Sequence, residues 1–153
     1  MNKKEIKAVL DTSVIVSSLL GSPHAAPAKV LKAILQGAFQ AYTSKQALEE
    51  LYNVLLSDKI AELLGGRVEA AVLTFILVNS KAKTVKPKKR IKMCRDPDDD
   101  KYLEIAYQAK ADYTVTLDKD LLDLKDKNKQ AKINKHTVKI LTPKEFLQTL
   151  EKP

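Results

Sequence analysis

Apolar residues follow two alternating patterns along this chain. Short runs rich in β-branched, aromatic or other apolar residues predict strands at residues 6–10, 39–42, 84–85, 113–117 and 138–141. Between them, helices are predicted at residues 14–20, 27–37, 44–55, 58–64, 68–78, 96–109 and 121–124. In the second, third and sixth of these, apolar residues recur as on one face of a helix, whereas 14–20 and 68–78 are predominantly apolar. Strands that alternate with helices are typical of a parallel sheet with helices on both faces. The pattern therefore predicts an α/β fold with a mainly parallel central sheet.

Local signals mark where some of these elements begin. Thr142-Pro-Lys-Glu145 has the residues of a capping box with proline at the first helical position, which predicts a final helix. Thr43 or Ser44 is expected to cap the helix that follows it. Residues 125–139 hold six lysines and one aspartate and are interpreted as a polar loop. No linker divides the chain, so we expect a single domain over residues 1–153.

Composition is that of an ordinary soluble globular protein. The chain has 153 residues, of which 44% are hydrophobic and 30% charged, and this length is enough for one core. The longest apolar stretch, residues 70–78, is far shorter than the roughly 20 residues that a membrane helix needs. The first residues lack the apolar centre of a signal peptide, so we expect a cytoplasmic protein. One cysteine and two histidines exclude an intramolecular disulfide and a Cys/His zinc site.

Positive charge is concentrated in one stretch. The net charge is +8, and residues 81–95, called the basic run below, contain eight Lys or Arg and no carboxylate. Localised charge suits a polyanion such as nucleic acid, although a basic run is equally often a solvated loop. In the first case, the side chains that we expect to contact the polyanion are Lys88, Lys89, Arg90, Lys92 and Arg95.

Carboxylates stand where predicted strands end and where one helix begins. Asp11 and Asp118 each follow a strand, and four aspartates lie between Asp96 and Asp100 at a helix start. In a parallel sheet these positions share one edge, where such proteins bind ligands. Glu50, inside another predicted helix, could reach the same pocket. The alternative is that the aspartates only cap helices, as aspartate often does.

Converging carboxylates need positive charge among them, because partly buried like charges repel strongly. Oxygen ligands alone suit Mg²⁺ or Mn²⁺, and such an ion can activate water for attack on a phosphodiester. Asp120 is expected to be a helix cap. The candidate metal ligands are Asp11, Glu50, Asp96, Asp99, Asp100 and Asp118.

Four motifs, in this order, resemble those of PIN domains. They are Val-Leu-Asp11-Thr-Ser-Val, Leu-Glu-Glu50-Leu, Asp96-Pro-Asp-Asp99-Asp-Lys-Tyr-Leu and Val-Thr-Leu-Asp118-Lys-Asp-Leu-Leu. The resemblance covers nearly the whole chain. Within the family, the chain is similar to PIN-domain proteins classed as toxin components of toxin–antitoxin systems. The resemblance implies a three-layer α/β/α fold, a Mg²⁺- or Mn²⁺-dependent ribonuclease and a homodimer.

Position in these motifs also implies roles for single residues. Asp11 would be the central metal ligand, Glu50 the second, Asp99 the third and Asp118 the fourth, and these four would form the catalytic set. Asp100 would replace Asp99 if the register moved by one residue. Asp96 is left open as a cap, a ligand or a support for a ligand.

Three small hydroxyls lie beside the acids in the sequence, at Thr12, Ser13 and Thr116. They could orient a ligand, a water molecule or the substrate. They could equally satisfy backbone groups at the strand ends.

Two functions of different classes follow from these observations. The first is a metal-dependent endoribonuclease, in the narrower case a toxin whose antitoxin protein covers the site. The second is a PIN-fold module that binds RNA without cutting it. A silent binder has no need for all four acidic positions, and here all four are filled, which favours the enzyme. RNA is the expected partner, and no membrane is expected.

Overall fold

The computed structural model describes residues 4–152. Its strands are β1 (Lys7–Leu10), β2 (Gln40–Ser44), β3 (Lys83–Val85), β4 (Tyr113–Val115), β5 (Gln130–Ile133) and β6 (His136–Leu141). They form one sheet in the order β3-β2-β1-β4-β6-β5. All neighbouring strands are parallel except β5, which runs antiparallel to β6 at one edge. The predicted mainly parallel sheet is confirmed.

Along the chain, helices connect the parallel strands, because each connection must return to the end of the sheet where the next strand begins. They are α1 (Thr12–Leu20), α2 (Ala26–Leu35), α3 (Lys45–Leu55), α4 (Asp58–Leu63), α5 (Val68–Lys81), α6 (Asp100–Ala109), α7 (Lys119–Leu122) and α8 (Pro143–Glu151). A 3-10 turn, Pro97–Asp99, leads directly into α6. No helix in residues 4–152 is long and apolar enough to cross a membrane.

Each face of the sheet has its own apolar core, because successive strand residues point to opposite faces. Ala8 and Leu10 of β1 pack with side chains of α1 to α5 and α8 on one face. Val9 packs on the other face with α6 and with the β5–β6 hairpin. This arrangement is a three-layer α/β/α fold, as expected.

The polar loop predicted for residues 125–139 is wrong. Residues Gln130–Ile133 form strand β5, which pairs with the start of β6 at His136. Ala131 and Ile133 are buried while Lys132 between them is exposed. β5 is therefore an edge strand that packs only two apolar side chains against the core. Asn134 adopts a left-handed conformation in the hairpin turn, with φ of 55°, which asparagine tolerates.

The predicted helix starts agree with the structure. The Thr142 side chain accepts a hydrogen bond from the backbone N–H of Glu145, and the Glu145 carboxylate accepts one from the backbone N–H of Thr142. Ser44, one of the two alternatives, caps α3 by accepting from the N–H of Ala47.

Strand register brings two candidate site residues together at the carboxyl ends of the two middle strands, β1 and β4. β1 and β4 are neighbours, and Leu10 pairs with Val115. The residues that follow them, Asp11 and Thr116, therefore lie side by side at the carboxyl edge of the sheet. This is the edge at which parallel α/β sheets bind their ligands.

Candidate metal centre and basic cleft

Asp11 is buried at the junction of β1 and α1. Its side chain is 2% exposed and caps α1 by accepting from the N–H of Val14 at 3.2 Å. The hydroxyls of Ser13 and Thr116 also donate to its carboxylate. Burial raises the pKa of Asp11 by more than these hydrogen bonds lower it. The group is thus held in one orientation, and a cation beside it would favour its charged form.

Ser13 and Thr116 connect the ends of β1 and β4. The Thr116 hydroxyl, besides donating to Asp11, accepts from the N–H of Asp118 at 2.8 Å. The Ser13 hydroxyl accepts from the N–H of Leu117 at 3.1 Å. Both alternatives weighed for these hydroxyls therefore apply together, because each orients a carboxylate and satisfies a backbone group.

Three aspartates form what we call the acidic cluster: Asp99, Asp118 and Asp120. One carboxylate oxygen of each lies within 4.8 Å of the others, a spacing at which one ion can contact all three. Asp118 caps α7 by accepting from the N–H of Asp120 at 2.8 Å. The expectation that Asp120 is the cap is therefore wrong. The signal for Asp120 was the Asp-x-Asp spacing directly after a strand, which places two carboxylates at one helix start.

Mutual repulsion is evident at Asp99. Burial, followed by the charges of Asp118, Asp96 and Asp11, raises the pKa of Asp99 to about 7. Among the described residues, no member of the acidic cluster forms a salt bridge with a lysine or arginine. Oxygen ligands with unbalanced negative charge fit a hard divalent cation such as Mg²⁺ or Mn²⁺.

The remaining aspartates of this stretch have other contacts. Asp96 is exposed and caps the 3-10 turn by accepting from the N–H of Asp98 at 3.0 Å. Asp100 is buried, and its Oδ1 accepts from the N–H groups of Met93 at 3.0 Å and Cys94 at 2.8 Å. The structure thus brings Asp99, rather than Asp100, to the other acids.

Glu50 lies near the acids but is not one of the three clustered carboxylates. Its Oε1 is 3.0 Å from the Lys101 ammonium, and its Oε2 accepts from the hydroxyls of Tyr102 and Thr12. Burial alone would raise the pKa of Glu50, but the hydrogen bonds from Tyr102, Lys101 and Thr12 lower it. Glu50 is therefore charged, and the Lys101 ammonium balances its charge.

Lys101 is a residue that sequence reasoning missed. It is 6% exposed, and its ammonium also donates to the backbone carbonyl of Asp98. A lysine in a first helical turn is usually solvated, so its position carried no signal of burial.

The basic run is held to α6 mainly through its backbone and the buried Ile91 side chain, and among its basic side chains Lys89 lies 5.8 Å from the Tyr107 ring centroid. Asp100, Glu104 and Gln108 form a row at four-residue spacing on α6, called the acceptor row below. Gln108 accepts from the N–H of Lys88 at 3.1 Å, and Glu104 accepts from the N–H of Ile91 at 2.9 Å. Asp100 completes the row through Met93 and Cys94 as described above. The basic side chains of this segment remain available for other contacts.

A cleft of about 290 Å³ lies between this segment and the start of α3. One wall is Ser44, Lys45 and Gln46, and the other is residues 85–90; Lys101 and Glu104 also line it. We call this the basic cleft. Of the predicted contact residues, Lys88, Lys89 and Arg90 line it, whereas Lys92 does not. Arg95 instead lines a separate depression near Asp120 and Asp123.

Comparisons with known proteins agree with this geometry. A family model described as PIN domain matches residues 7–120. An uncharacterised protein of Methanocaldococcus jannaschii, MJ1680, is 39% identical over 153 residues, covering 99% of this chain and 96% of that protein. The crystal structure of PAE2754 from Pyrobaculum aerophilum superposes with a TM-score of 0.62 at 18% identity, covering 95% of this chain and 89% of that one. At this identity the structural likeness concerns the fold.

Proposed function

This chain belongs to the PIN-domain family, whose members are generally metal-dependent nucleases, and we propose that it is an endoribonuclease that hydrolyses RNA phosphodiester bonds with Mg²⁺ or Mn²⁺. The observation that carries the proposal is the acidic cluster beside buried Asp11 at the carboxyl edge of the sheet. Carboxylates collected without a basic partner are unfavourable unless a cation joins them.

The residues that would hold the ion are Asp99, Asp118 and Asp120, with Asp11 next to them. A divalent ion bound there would lower the pKa of a coordinated water and offset negative charge on the scissile phosphate. With the ion bound, Asp11 would carry a negative charge in the orientation that Ser13 and Thr116 hold. In this proposal Asp99 gives up its proton when the ion binds.

Glu50 and Lys101 would act on the substrate side of the ion. Glu50 stays a candidate ligand, as the resemblance implies, and it holds the Lys101 ammonium in a buried position. An ammonium has three donors, of which Glu50 and the Asp98 carbonyl occupy two. The third has no hydrogen-bond acceptor among the described residues, where the Tyr102 ring centroid lies 5.0 Å from the ammonium, and in this proposal it orients a phosphate oxygen of the substrate.

Homodimerisation is part of the proposal. Helix α5 exposes apolar side chains on the surface, with Leu73 65% and Ile76 53% exposed. A second copy that covered them would remove apolar area from water, which favours association. The toxin role and an antitoxin partner rest on the sequence resemblance and stay predictions.

The test is cleavage of a mixed RNA pool by purified protein with Mn²⁺, with Mg²⁺ or with EDTA. The Asp11→Asn variant is prepared identically, since asparagine can keep the cap of α1 while it removes the charge and exchanges one acceptor oxygen for an NH₂ donor. We expect metal-dependent cutting that falls at least about 100-fold in this variant, as when one group that stabilises transition-state charge is lost. Asp58→Asn, an exposed helix-start aspartate outside the cluster, serves as the control and should cut like the wild type.

The alternative function predicts a different result. A PIN-fold module that only binds RNA would retain RNA with or without metal and would leave the pool intact. Intact RNA after incubation of folded, RNA-binding protein with either metal would therefore refute the nuclease.

A further inference from the structure

Lys101 places an ammonium group inside the candidate metal centre. Its side chain is 6% exposed, and the ammonium lies 3.0 Å from Oε1 of Glu50 and donates to the backbone carbonyl of Asp98. A lysine is almost never buried to this extent unless an opposite charge accompanies it. The ion pair of Lys101 with Glu50 is therefore part of the packed site, whereas the lysines of the basic run are exposed.

The carboxylate of Glu50 has little capacity left for another cation. An ionised carboxylate offers about four acceptor positions. At Glu50 three donors use them: the Lys101 ammonium on Oε1, and the hydroxyls of Tyr102 and Thr12 on Oε2. Tyr102 is itself 3% exposed, and its hydroxyl accepts from the N–H of Thr12 at 3.2 Å. A divalent ion at Oε1 would therefore have to displace an ammonium that repels it.

The same network adjoins the carboxylates that we propose as metal ligands. Thr12 directly follows Asp11, and Lys101 lies two residues after Asp99 at the start of α6. Burial and the neighbouring aspartates raise the pKa of Asp99, and the charge of Lys101 lowers it by a smaller amount. The positive charge of Lys101 therefore reaches the acidic cluster, while its own carboxylate partner is Glu50.

Enzymes that cut phosphodiesters with two metal ions hold those ions about 3.5–4 Å apart. A second ion needs carboxylate oxygen beside the ligands of the first, and in this chain Glu50 is the candidate ligand that lies outside the acidic cluster. Its charge is already balanced by Lys101, whose ammonium is a compact point charge that needs no metal to stay in place.

We propose that the Lys101 ammonium occupies the cation position at Glu50, so that this chain binds a single divalent ion, at the acidic cluster, and excludes a second one. The inference rests on the metal ion of the proposed function but not on the cleavage of RNA. Among the candidate ligands it removes Glu50, whose carboxylate holds the ammonium instead of a metal ion.

The experiment counts Mn²⁺ ions per chain in the absence of RNA by calorimetric titration, and electron paramagnetic resonance shows whether bound ions lie close together. The full-length wild type is compared with Lys101→Met, in which an unbranched apolar side chain of similar length replaces the ammonium. Lys144→Met, at an exposed lysine in the first turn of α8, is the matched control for the loss of one lysine charge. The double variant Lys101→Met/Glu50→Gln removes both charges of the pair.

The wild type and Lys144→Met should each bind about one Mn²⁺ and give the spectrum of an isolated ion. Lys101→Met should bind about two, because Glu50 is left without a cation and because such an ion needs only one or two carboxylates when water fills its other positions. Two Mn²⁺ ions about 4 Å apart give a spin-coupled spectrum. The double variant should again bind about one, because it lacks the negative charge that attracts the second ion.

A spin-coupled pair of ions in the wild type would overturn the proposal, and so would a single ion in folded Lys101→Met. A second ion that persists in the double variant would do the same, because its ligand could not be the Glu50 carboxylate. Thermal unfolding shows whether each variant is folded. The count in the wild type can overturn the proposal by itself, so the test does not depend on the folding of a variant.

The metal count also separates this proposal from the proposed function. No bound ion in the wild type would refute the metal centre and the role of Lys101 together. The expected counts in the wild type and in Lys101→Met, combined with intact RNA in the cleavage test, would refute the nuclease and keep the role of Lys101. Metal-dependent cleavage by a wild type with paired ions would do the reverse.

Discussion

Two carboxylates, Asp99 and Glu145, stand in opposite electrostatic environments in this protein. Burial and three neighbouring aspartates raise the pKa of Asp99 to about 7. Glu145, at the start of α8, pairs with Lys129 and, at 3.5 Å, with Lys125. Burial there is outweighed by the hydrogen bonds from Lys129 and the Thr142 N–H and by the charge of Lys125, and the pKa falls to about 2.

The comparison of Asp99 with Glu145 distinguishes carboxylates that repel one another from a carboxylate that lysines neutralise. With 27 Lys and Arg against 19 Asp and Glu, positive side chains are abundant. They neutralise Glu145, which has a structural role, and within residues 4–152 none forms a salt bridge with the acidic cluster. Unbalanced charge at the carboxyl edge of a parallel sheet is typical of a functional site, and balanced charge is typical of a structural contact.

The largest expected effect comes from removing the repelled charge. Asp99→Asn should lower Mn²⁺ affinity at least about 100-fold, more than the 10–100-fold typical of losing a group that only supports a ligand. It should also stabilise the metal-free protein at pH 8 by up to about 1 kcal/mol, since solvent screens this partly exposed group. Calorimetric titration with Mn²⁺ and chemical denaturation with EDTA measure the two effects. Asp98→Asn, its exposed neighbour, should change neither, and identical behaviour of the two variants would contradict the assignment of Asp99.

The proton that Asp99 should release when metal binds gives a second test of the difference between Asp99 and Glu145. The pKa of Asp99 in the folded protein lies above the ordinary 3.8, so the metal-free protein loses stability as pH rises from about 4 to about 7. Below pH 7 an ion must displace that proton, so Mn²⁺ affinity should rise by up to about tenfold per pH unit between pH 6 and 7, and then level off. Titrations in two buffers of different ionisation enthalpy count the released protons. Affinity that is constant across this range would show that Asp99 is already charged.

The smallest effect is expected at the balanced site. Glu145 has a pKa below its ordinary 4.5, so its contribution to stability is complete above about pH 4.5 and is lost as pH falls towards about 2. Glu145→Gln keeps a residue that can close the capping box and removes the charge. We expect a loss of up to about 1 kcal/mol at pH 7 that disappears near pH 2. Urea denaturation at both pH values measures it, beside Glu151→Gln at the exposed end of α8. Equal losses at the two pH values would mean that the ion pairs contribute nothing.

Much of the fold could be predicted because its elements have strong local signals. A long apolar stripe marked α3, a strongly apolar run marked α5, and the capping box at Thr142 marked α8. Strand β5 escaped prediction because only Ala131 and Ile133 are buried, and Lys132 between them and Lys129 and Lys135 around them hide so short a pattern. Edge strands need little burial, so their sequences resemble loops.

The candidate site was predictable at the ends of strands and less so elsewhere. Asp11 and Asp118 follow apolar runs, and strand register then fixes their position. Asp120 was interpreted as a cap because both roles place an aspartate at a helix start. Lys101 depends on Glu50, 51 residues away, and no local pattern reports a contact of that range.

The acceptor row on α6 has a consequence for how this protein can vary. Asp100, Glu104 and Gln108 hold the backbone of the basic run and Ile91 packs in the core, so its lysines and arginines contribute little to its position. Lysines and arginines there can be exchanged for other residues while the path of the chain stays the same. Under the proposed function, related proteins can thus diverge in the nucleic acids they prefer through substitutions in this segment, with the aspartates at the sheet edge undisturbed. High salt, likewise, should release a bound polyanion without displacing the loop that held it.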